Sequence, residues 1–372
     1  MERHPSTPRR FFAAKLADQG LSFHDVDNYW KEDVCYTFAG AEIEHIEAAT
    51  SALHACCVAA LDHVIARGRL GELGIPEAFW PLIAASAQRR EGSLYGRFDL
   101  AYDGVNPPKL LEYNADTPTS LLETAVCQWY WLQDCHPQRD QFNSLHERLV
   151  ERWRTLPGPG PVHLACLEDN EEDWVCITYL MDTVVQSGRP ARTLFIEQLG
   201  WDSARGVFVD EQDAPIENLF KLYPWEWLMR EPFGVHIPAG RTRFIEPPWK
   251  AVLSCKGLLP ILWELFPDHP NLLPAYFEPH GLSDYARKPL YSREGANIVL
   301  VKGGVPVAQS AGPYGAEGHV YQALCPLRAF DDRYAVLGSW VVDGEPAGLC
   351  VREDDSPITT NMSSFVPHYI LD

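Results

Sequence analysis

The chain has 372 residues, 46% hydrophobic and 12% aromatic, with 12 tryptophans; that is room for two or three lobes around a large core and too apolar for a disordered chain. Its 31 Lys+Arg against 51 Asp+Glu give a formal net charge of −20, which repels phosphate backbones and anionic lipid, so no nucleic-acid or membrane partner is expected and any anion site must be built locally. The longest uninterrupted apolar run, Ala55 to Leu61, is far short of the roughly 20 residues of a spanning helix, and Lys15 and Asp18 cut the first apolar stretch before a signal core can form, so a cytoplasmic protein is expected.

The first hundred residues read mainly as helix. Ile43, Ile46, Leu53, Cys57, Ala60, Leu61 and Val64 recur at three- and four-residue steps and Gly68 offers a stop, which predicts a long helix from about Glu42 to Arg67. Pro76 can open a second helix. The period then changes: Leu94 to Asp103 and Lys109 to Asn114 are short strand-like segments around the turn cluster Gly104-Val105-Asn106-Pro107-Pro108, a hairpin. Glu123 stands three residues after Ser120, which predicts a capping box opening a helix with Leu121, Val126, Trp129 and Trp131.

Pro157-Gly158-Pro159-Gly160-Pro161 marks a boundary. Beyond it, Val162 to Leu167 reads as a strand, Trp174 to Val185 as a helix with Gly188 as its stop, and Thr193 to Ile196 as a strand, a βαβ unit that favours a parallel sheet with a ligand crevice at the carboxyl ends of its strands. The acidic run Glu168 to Asp173 is expected as a loop at such an end, where Glu171 and Glu172 could meet a substrate ammonium; as a plain charge run it would be a solvated face. From about Phe244 come a helix, Leu258 to Phe266, and strands around Ile298 to Val301, Ala335 to Val342 and Ala347 to Val351, the last two joined by the turn Asp343 to Pro346. Three regions follow, 1–157, 158–243 and 244–372.

The hairpin carries the sharpest chemical argument. If Asp103 faces Pro108, Asp99 lies opposite Glu112 and Arg97 opposite Asn114, all on one face. Like charges directly opposite destabilise a sheet unless neutralised, either by Arg97 on a solvated face or by a hard divalent cation held by carboxylate and amide oxygens, for which Mg²⁺ is suited. Elsewhere Lys256 follows the apparent strand Val252 to Cys255, Lys288 precedes Pro289, and Arg293-Glu294-Gly295-Ala296-Asn297 holds a glycine that lets backbone N–H groups approach an anion. Arg352 ends an apolar strand beside Glu353, Asp354 and Asp355, a salt-bridged terminus on its face value. The ten cysteines form no C-x-x-C pair and read as reduced, buried thiols; thirteen histidines form no H-E-x-x-H, and no G-x-S-x-G or G-x-x-x-x-G-K-[ST] occurs.

Tyr95-Gly96-Arg97-Phe98-Asp99 and Leu110-Leu111-Glu112-Tyr113-Asn114-Ala115-Asp116-Thr117-Pro118-Thr119-Ser120 resemble the synthetase domain of the glutathionylspermidine synthase family. The likeness extends through Asn271-Leu272-Leu273-Pro274, Arg293 to Asn297 and Gly348 to Glu353. It implies a mixed α/β, ATP-grasp-like fold with a pre-ATP-grasp α/β domain (158–243) before the nucleotide-binding lobe, and ligation of a carboxylate to an amine with ATP and Mg²⁺.

Carried over by position, it implies Asp99, Glu112 and Asn114 as metal ligands, Arg97 at the reacting acyl group and Arg352 facing the transferred phosphate. It likewise implies Lys256, Lys288, Gly295 and Asn297 around the phosphates, Gln322, Ala323 and Leu324 at adenine, and Glu171 and Glu172 at a peptide substrate. Members that also hydrolyse their product carry a preceding cysteine-hydrolase domain, which the 96 residues before Arg97 do not accommodate. Glutathione and spermidine are the leading substrates by resemblance; the same ligase chemistry on another acid or amine, and a non-catalytic nucleotide or polyamine binder, are the alternatives.

Overall fold

In the helix Gly40–Arg67 the residues Ile43, Ile46, Ala49, Leu53, Cys57, Ala60, Leu61 and Val64 are all buried along one side. The Glu42 carboxylate accepts from the Ala39 N–H at 2.9 Å, and Gly68 ends the helix in the left-handed region at φ 66°, where the missing Cβ avoids strain. The computed structural model describes residues 1–372, the side chain of Asp27 excepted. By length and composition this 28-residue helix could cross a membrane, which a count of uninterrupted apolar residues does not reveal because polar residues punctuate its other side. Here it is a core helix, packed on the strands Arg333–Val342 and Glu345–Asp354.

Those two strands belong to an antiparallel sheet in the order Ser364–Val366, Glu345–Asp354, Arg333–Val342, Tyr95–Ala101 and Lys109–Asn114, with Ala329–Phe330 pairing alongside Arg333–Val342. Arg97 pairs with Asn114 and Asp99 with Glu112, the register expected at this end of the hairpin. Beyond Asp99 the pairing slips by one, Leu100 facing Leu110 and Ala101 facing Lys109, so the turn half is offset from the register that sets Asp103 against Pro108. The extra residue of this bulge is Leu111; its carbonyl, free of the ladder, accepts from the Lys288 ammonium at 2.9 Å.

A second sheet is parallel throughout, in the order Arg243–Ile245, Asn218–Lys221, Val162–Cys166 and Ala191–Phe195. The helix Glu171–Gln186 crosses between the last two strands, completing the expected βαβ unit. The acidic run is only half a loop. The Asn170 side chain accepts from the Asp173 N–H at 3.0 Å, so Glu171, Glu172 and Asp173 form the first helical turn, where the helix dipole favours carboxylates.

The third sheet is antiparallel: Ala275–Tyr276, His319–Ala323, Tyr285–Pro289, Val299–Lys302 and Val305–Gln309. Two local expectations change. The run Val252 to Cys255 is not a strand: Lys250–Ser254 is a short helix, started by Pro247 and Pro248, whose carbonyls accept from the N–H groups of Lys250 and Ala251; a run of four mostly apolar residues cannot itself tell strand from buried helix. Ser120 forms no capping box, since it sits at φ 71° and Glu123 instead accepts from the Tyr29 hydroxyl at 2.5 Å. A π-helical segment Glu123–Cys127 leads into the helix Gln128–Cys135, with Trp131 buried and Trp129 exposed. All ten cysteines are free and seven are buried.

Candidate functional site

Side chains from the two antiparallel sheets, with residues just beyond the carboxyl ends of the parallel strands, line one cavity of about 570 Å³. Its floor is the first sheet, where four adjacent strands set Cys350, Gly338, Asp99 and Glu112 in one row. The bare Gly338 makes that row possible: a Cβ there would lie 2.8 Å from Cδ of Arg97 and still closer to Sγ of Cys350. Arg97 therefore lies across the strand. It donates to both oxygens of Asp99, at 2.7 Å from Nε and 3.1 Å from Nη2, and from Nη1 to the Thr119 carbonyl at 2.9 Å, with its guanidinium 5.6 Å from the Trp340 ring. Burial works against that charge, but Asp99 outweighs it and raises the Arg97 pKa.

Glu112 is held from the other side by Lys256, 2.8 Å from Oε2, and the Asn114 amide nitrogen donates to Asp99 at 3.0 Å and to Glu112 at 3.2 Å. Burial would raise the Glu112 pKa, yet the ammonium groups of Lys256 and Lys288 bring it down to about 2. Lys288 donates to the Gln322 side chain at 2.8 Å, and Gln322 donates to the Leu110 carbonyl at 2.8 Å. Burial, opposed by Glu112 and aided by the like charge of Lys256, lowers the Lys288 pKa to about 8.

Arg352 also faces the cavity. It is not the salt-bridged terminus its acidic neighbours suggest: Glu353 pairs with Arg3 and Lys31, while Nη2 of Arg352 donates to the carbonyls of Thr360, Asn361 and Ser363 at 2.9, 3.0 and 2.9 Å. Its Nε is buried without a partner. Gly295, at φ 67°, abuts the Thr359 carbonyl where any Cβ would collide, which brings the 293–297 loop against the 358–361 segment. Ala286, Leu300, Leu324 and Ile358 make an apolar end.

At the other end, beside the carboxyl ends of the parallel strands, Asn170, Asp173, Trp227 and Arg293 line the wall. Arg293 donates to Glu226 at 3.1 and 2.7 Å and to the Thr117 hydroxyl at 2.6 Å. Burial, then the nearby charge of Glu172, raises the Asp173 pKa to about 7.

Of the residues singled out in the sequence, Arg97, Asp99, Glu112, Asn114, Lys288, Gly295, Gln322, Ala323, Leu324 and Arg352 line this cavity; Lys256, Asn297, Glu171 and Glu172 do not. Lys256 supports Glu112 from behind. The Asn297 side-chain oxygen accepts from the Tyr314 N–H at 3.1 Å. Glu171 is exposed, and Glu172 keeps one buried oxygen without a partner. Asp173, Thr117, Arg293 and Gly338 went unassigned in the sequence. For Asp173 the available signal was Asn170 as a helix cap, which sets the phase of the acidic run.

Among the described residues no three His, Cys, Asp or Glu side chains gather into a metal cluster. The oxygen set at the hairpin is instead two carboxylates and one amide. A half-turn of the Asn114 amide exchanges its nitrogen for its oxygen, placing three oxygens with two negative charges around one position, a donor set that fits a hard divalent cation completed by phosphate and water.

A family model described as glutathionylspermidine synthase preATP-grasp matches residues 3–371. The chain is similar to a protein of Haemophilus influenzae named "Putative acid–amine ligase", 44% identical over 367 residues that cover 94% of this chain and 93% of that protein. It is 30% identical over 331 residues to the trypanothione synthetase of Crithidia fasciculata, covering 80% of this chain and 50% of that protein. To the bifunctional glutathionylspermidine synthetase/amidase of Escherichia coli it is 28% identical over 365 residues, covering 89% of this chain and 58% of that one; of these two relatives the chain thus spans little more than half the length.

The structure of a glutathione synthetase-like effector from Globodera pallida superposes with a TM-score of 0.56 at 11% identity, covering 91% of this chain and 89% of that one, a likeness of fold. The architecture is the mixed α/β, ATP-grasp-like one that the sequence motifs imply. With a match that spans almost every residue, the chain belongs to the glutathionylspermidine synthase preATP-grasp family.

Proposed function

We propose that this chain is an ATP- and Mg²⁺-dependent carboxylate–amine ligase acting on a glutathione-like peptide acid and a polyamine. The observation that carries the reading is the convergence in one cavity of an oxygen-rich hairpin face, four cationic side chains (Arg97, Lys288, Arg293 and Arg352) and an apolar end. The γ-phosphoryl group of ATP passes to the acid, giving an acyl phosphate; the amine then displaces phosphate, so that amide, ADP and phosphate are the products. Asp99, Glu112 and Asn114 would hold the metal, which when bound neutralises phosphate charge.

Lys288 and Arg352 are the cations at hand for phosphate oxygens, and the orphaned Nε of Arg352 is a donor awaiting an acceptor. Gly295 and Asn297 form and brace the loop over the phosphates, Lys256 acts through Glu112, and Gln322, Ala323 and Leu324 flank the base. Arg97 would donate to the oxygen that becomes negative as the amine adds to the carbonyl. Asp173, with Glu172 behind it, is better placed than the exposed Glu171 to meet a substrate ammonium. The test is a panel of acids and amines scored for ADP and phosphate release, with mass spectrometry of the product; release independent of the amine, with no amide formed, would end the proposal.

Two expectations follow for binding. Asp99→Asn and Glu112→Gln each remove a charge at almost constant volume, so both should weaken metal-dependent nucleotide binding, and because each strands the buried Arg97 or Lys256 charge both should also lower stability in urea while remaining folded at assay temperature; equal Mg²⁺–ATP affinities by calorimetry in both folded variants would count against the hairpin as metal site. Lys288, titrating near pH 8, is charged below that value and neutral above it. Nucleotide affinity should therefore fall as pH rises through about 8, and Lys288→Met should bind more weakly and lose that pH dependence. An unchanged slope in the variant would assign the titration elsewhere.

A further inference from the structure

Every carboxylate offered to a cation at the hairpin already has a cation of the protein's own. Arg97 grips both oxygens of Asp99, and Lys256 holds Oε2 of Glu112: two buried positive groups against two half-buried negative ones. A divalent cation added to the same oxygens with both partners in place would put three positive centres around two carboxylates, a repulsion that burial makes worse.

The two partners are not equally in the way. Lys256 touches one oxygen of Glu112 and also donates to the Ser292 carbonyl at 2.6 Å, which leaves Oε1, the oxygen facing Asn114, for another ligand. Arg97 occupies both oxygens of Asp99, including Oδ2, the one that faces Asn114. It also has anchors that do not involve Asp99: Nη1 on the Thr119 carbonyl and the face of Trp340. The guanidinium can therefore swing away from Asp99 without leaving the site, and the swing frees Nε–H and Nη2–H, whose acceptors in this structure are the Asp99 oxygens.

We propose that the Arg97–Asp99 pair is a latch: a divalent cation at Asp99, Glu112 and Asn114 displaces the arginine, and the two donors so released are the ones presented to the reacting carbonyl. This rests on the metal site proposed above. It goes further in making the arginine unavailable for catalysis until the metal is in place, so that metal binding precedes assembly of the oxyanion site.

Mn²⁺, counted by the electron paramagnetic resonance signal of the free ion, tests it without nucleotide and without turnover. Arg97→Lys keeps the charge but cannot make the two-point fork to Asp99, whereas Arg97→Met removes both. Both variants should bind Mn²⁺ roughly tenfold more tightly than the wild type, in line with the loss of a charge-assisted competitor. If only Arg97→Met tightens binding, charge alone accounts for the effect and the latch is overturned; equal affinities in all three proteins overturn it too.

Asp99→Asn should weaken Mn²⁺ binding. If it does not, or if Mn²⁺ binds to none of the wild type, Arg97→Lys and Arg97→Met, the metal site itself falls, a result distinct from loss of the latch alone. A second readout needs no arginine variant: saturating Mg²⁺ should change the Trp340 emission, isolated as the difference from Trp340→Phe, because the guanidinium moves over its ring. Unchanged Trp340 emission at a Mg²⁺ concentration shown to bind would overturn the proposal.

Discussion

Arg97→Ala is expected to lower turnover roughly 10²–10³-fold while nucleotide affinity changes little. The size is that of removing one donor from a charge that develops mainly in the transition state, about 2.7–4 kcal/mol. Its direction follows from geometry: the guanidinium is buried, lies on the cavity floor, and has anchors on the Thr119 carbonyl and the Trp340 face that keep it at the site when Asp99 is engaged elsewhere. Steady-state kinetics on an acid–amine pair, with separate calorimetry of nucleotide binding, would show kcat falling and Kd steady. Full activity in Arg97→Ala would remove the arginine from the reaction, and a matching fall in affinity with little change in kcat would make it a binding residue.

Lys221→Met is expected to cost about 3–5 kcal/mol of stability, the usual consequence of stranding one member of a buried ion pair. Lys221 and Asp116 are both fully buried and lie 2.6 Å apart. The ammonium also donates to the Tyr223 carbonyl at 3.0 Å, and the other Asp116 oxygen accepts from the Trp225 N–H at 2.8 Å. Burial pulls the Lys221 pKa down and the charge of Asp116 opposes it. Since Lys221 ends a strand of the parallel sheet and Asp116 lies two residues past the hairpin strand, the pair ties one sheet to the other beneath the cavity.

The double variant Lys221→Met, Asp116→Asn should recover part of the loss, because no buried charge is left unpaired and an amide oxygen can still accept from Trp225. Urea unfolding with a constant slope is the measurement. A single-variant loss below about 1 kcal/mol would mean that solvent reaches the stranded carboxylate.

How much of the site is legible in the sequence depends on how local each feature is. The long helix, the βαβ unit and the Asp99–Glu112 facing rest on side-chain period, caps and turn residues a few positions apart, and hydrogen bonding repeats at that spacing whatever the tertiary context. Even there the turn is not the one that sets Asp103 against Pro108. The bulge at Leu111 is invisible to the turn rule, because the Leu111 carbonyl is satisfied by Lys288, far along the chain.

The same limit explains the other departures. Ser120 and Glu123 spell a capping box, but Tyr29 reaches Glu123 from a segment more than 90 residues earlier, and a buried hydroxyl–carboxylate bond outweighs a local cap. Arg352 sits beside three acids in sequence, yet Glu353 points away to Arg3 and Lys31 because neighbours on a strand face opposite sides of a sheet.

The sequence alone thus determined the long helix and the βαβ unit, the hairpin face with its four polar side chains, and the motifs that mark the family. Only the tertiary structure decided that Lys256 stands behind Glu112 instead of in the cavity, that Asp173 lines the wall while Glu171 faces solvent, that Gly338 makes room for Arg97, and that Lys221 and Asp116 join two sheets. The physical reason is common to all four. A local pattern states which side of an element a residue occupies; burial, charge pairing and close approach are set by what the rest of the chain places opposite that side.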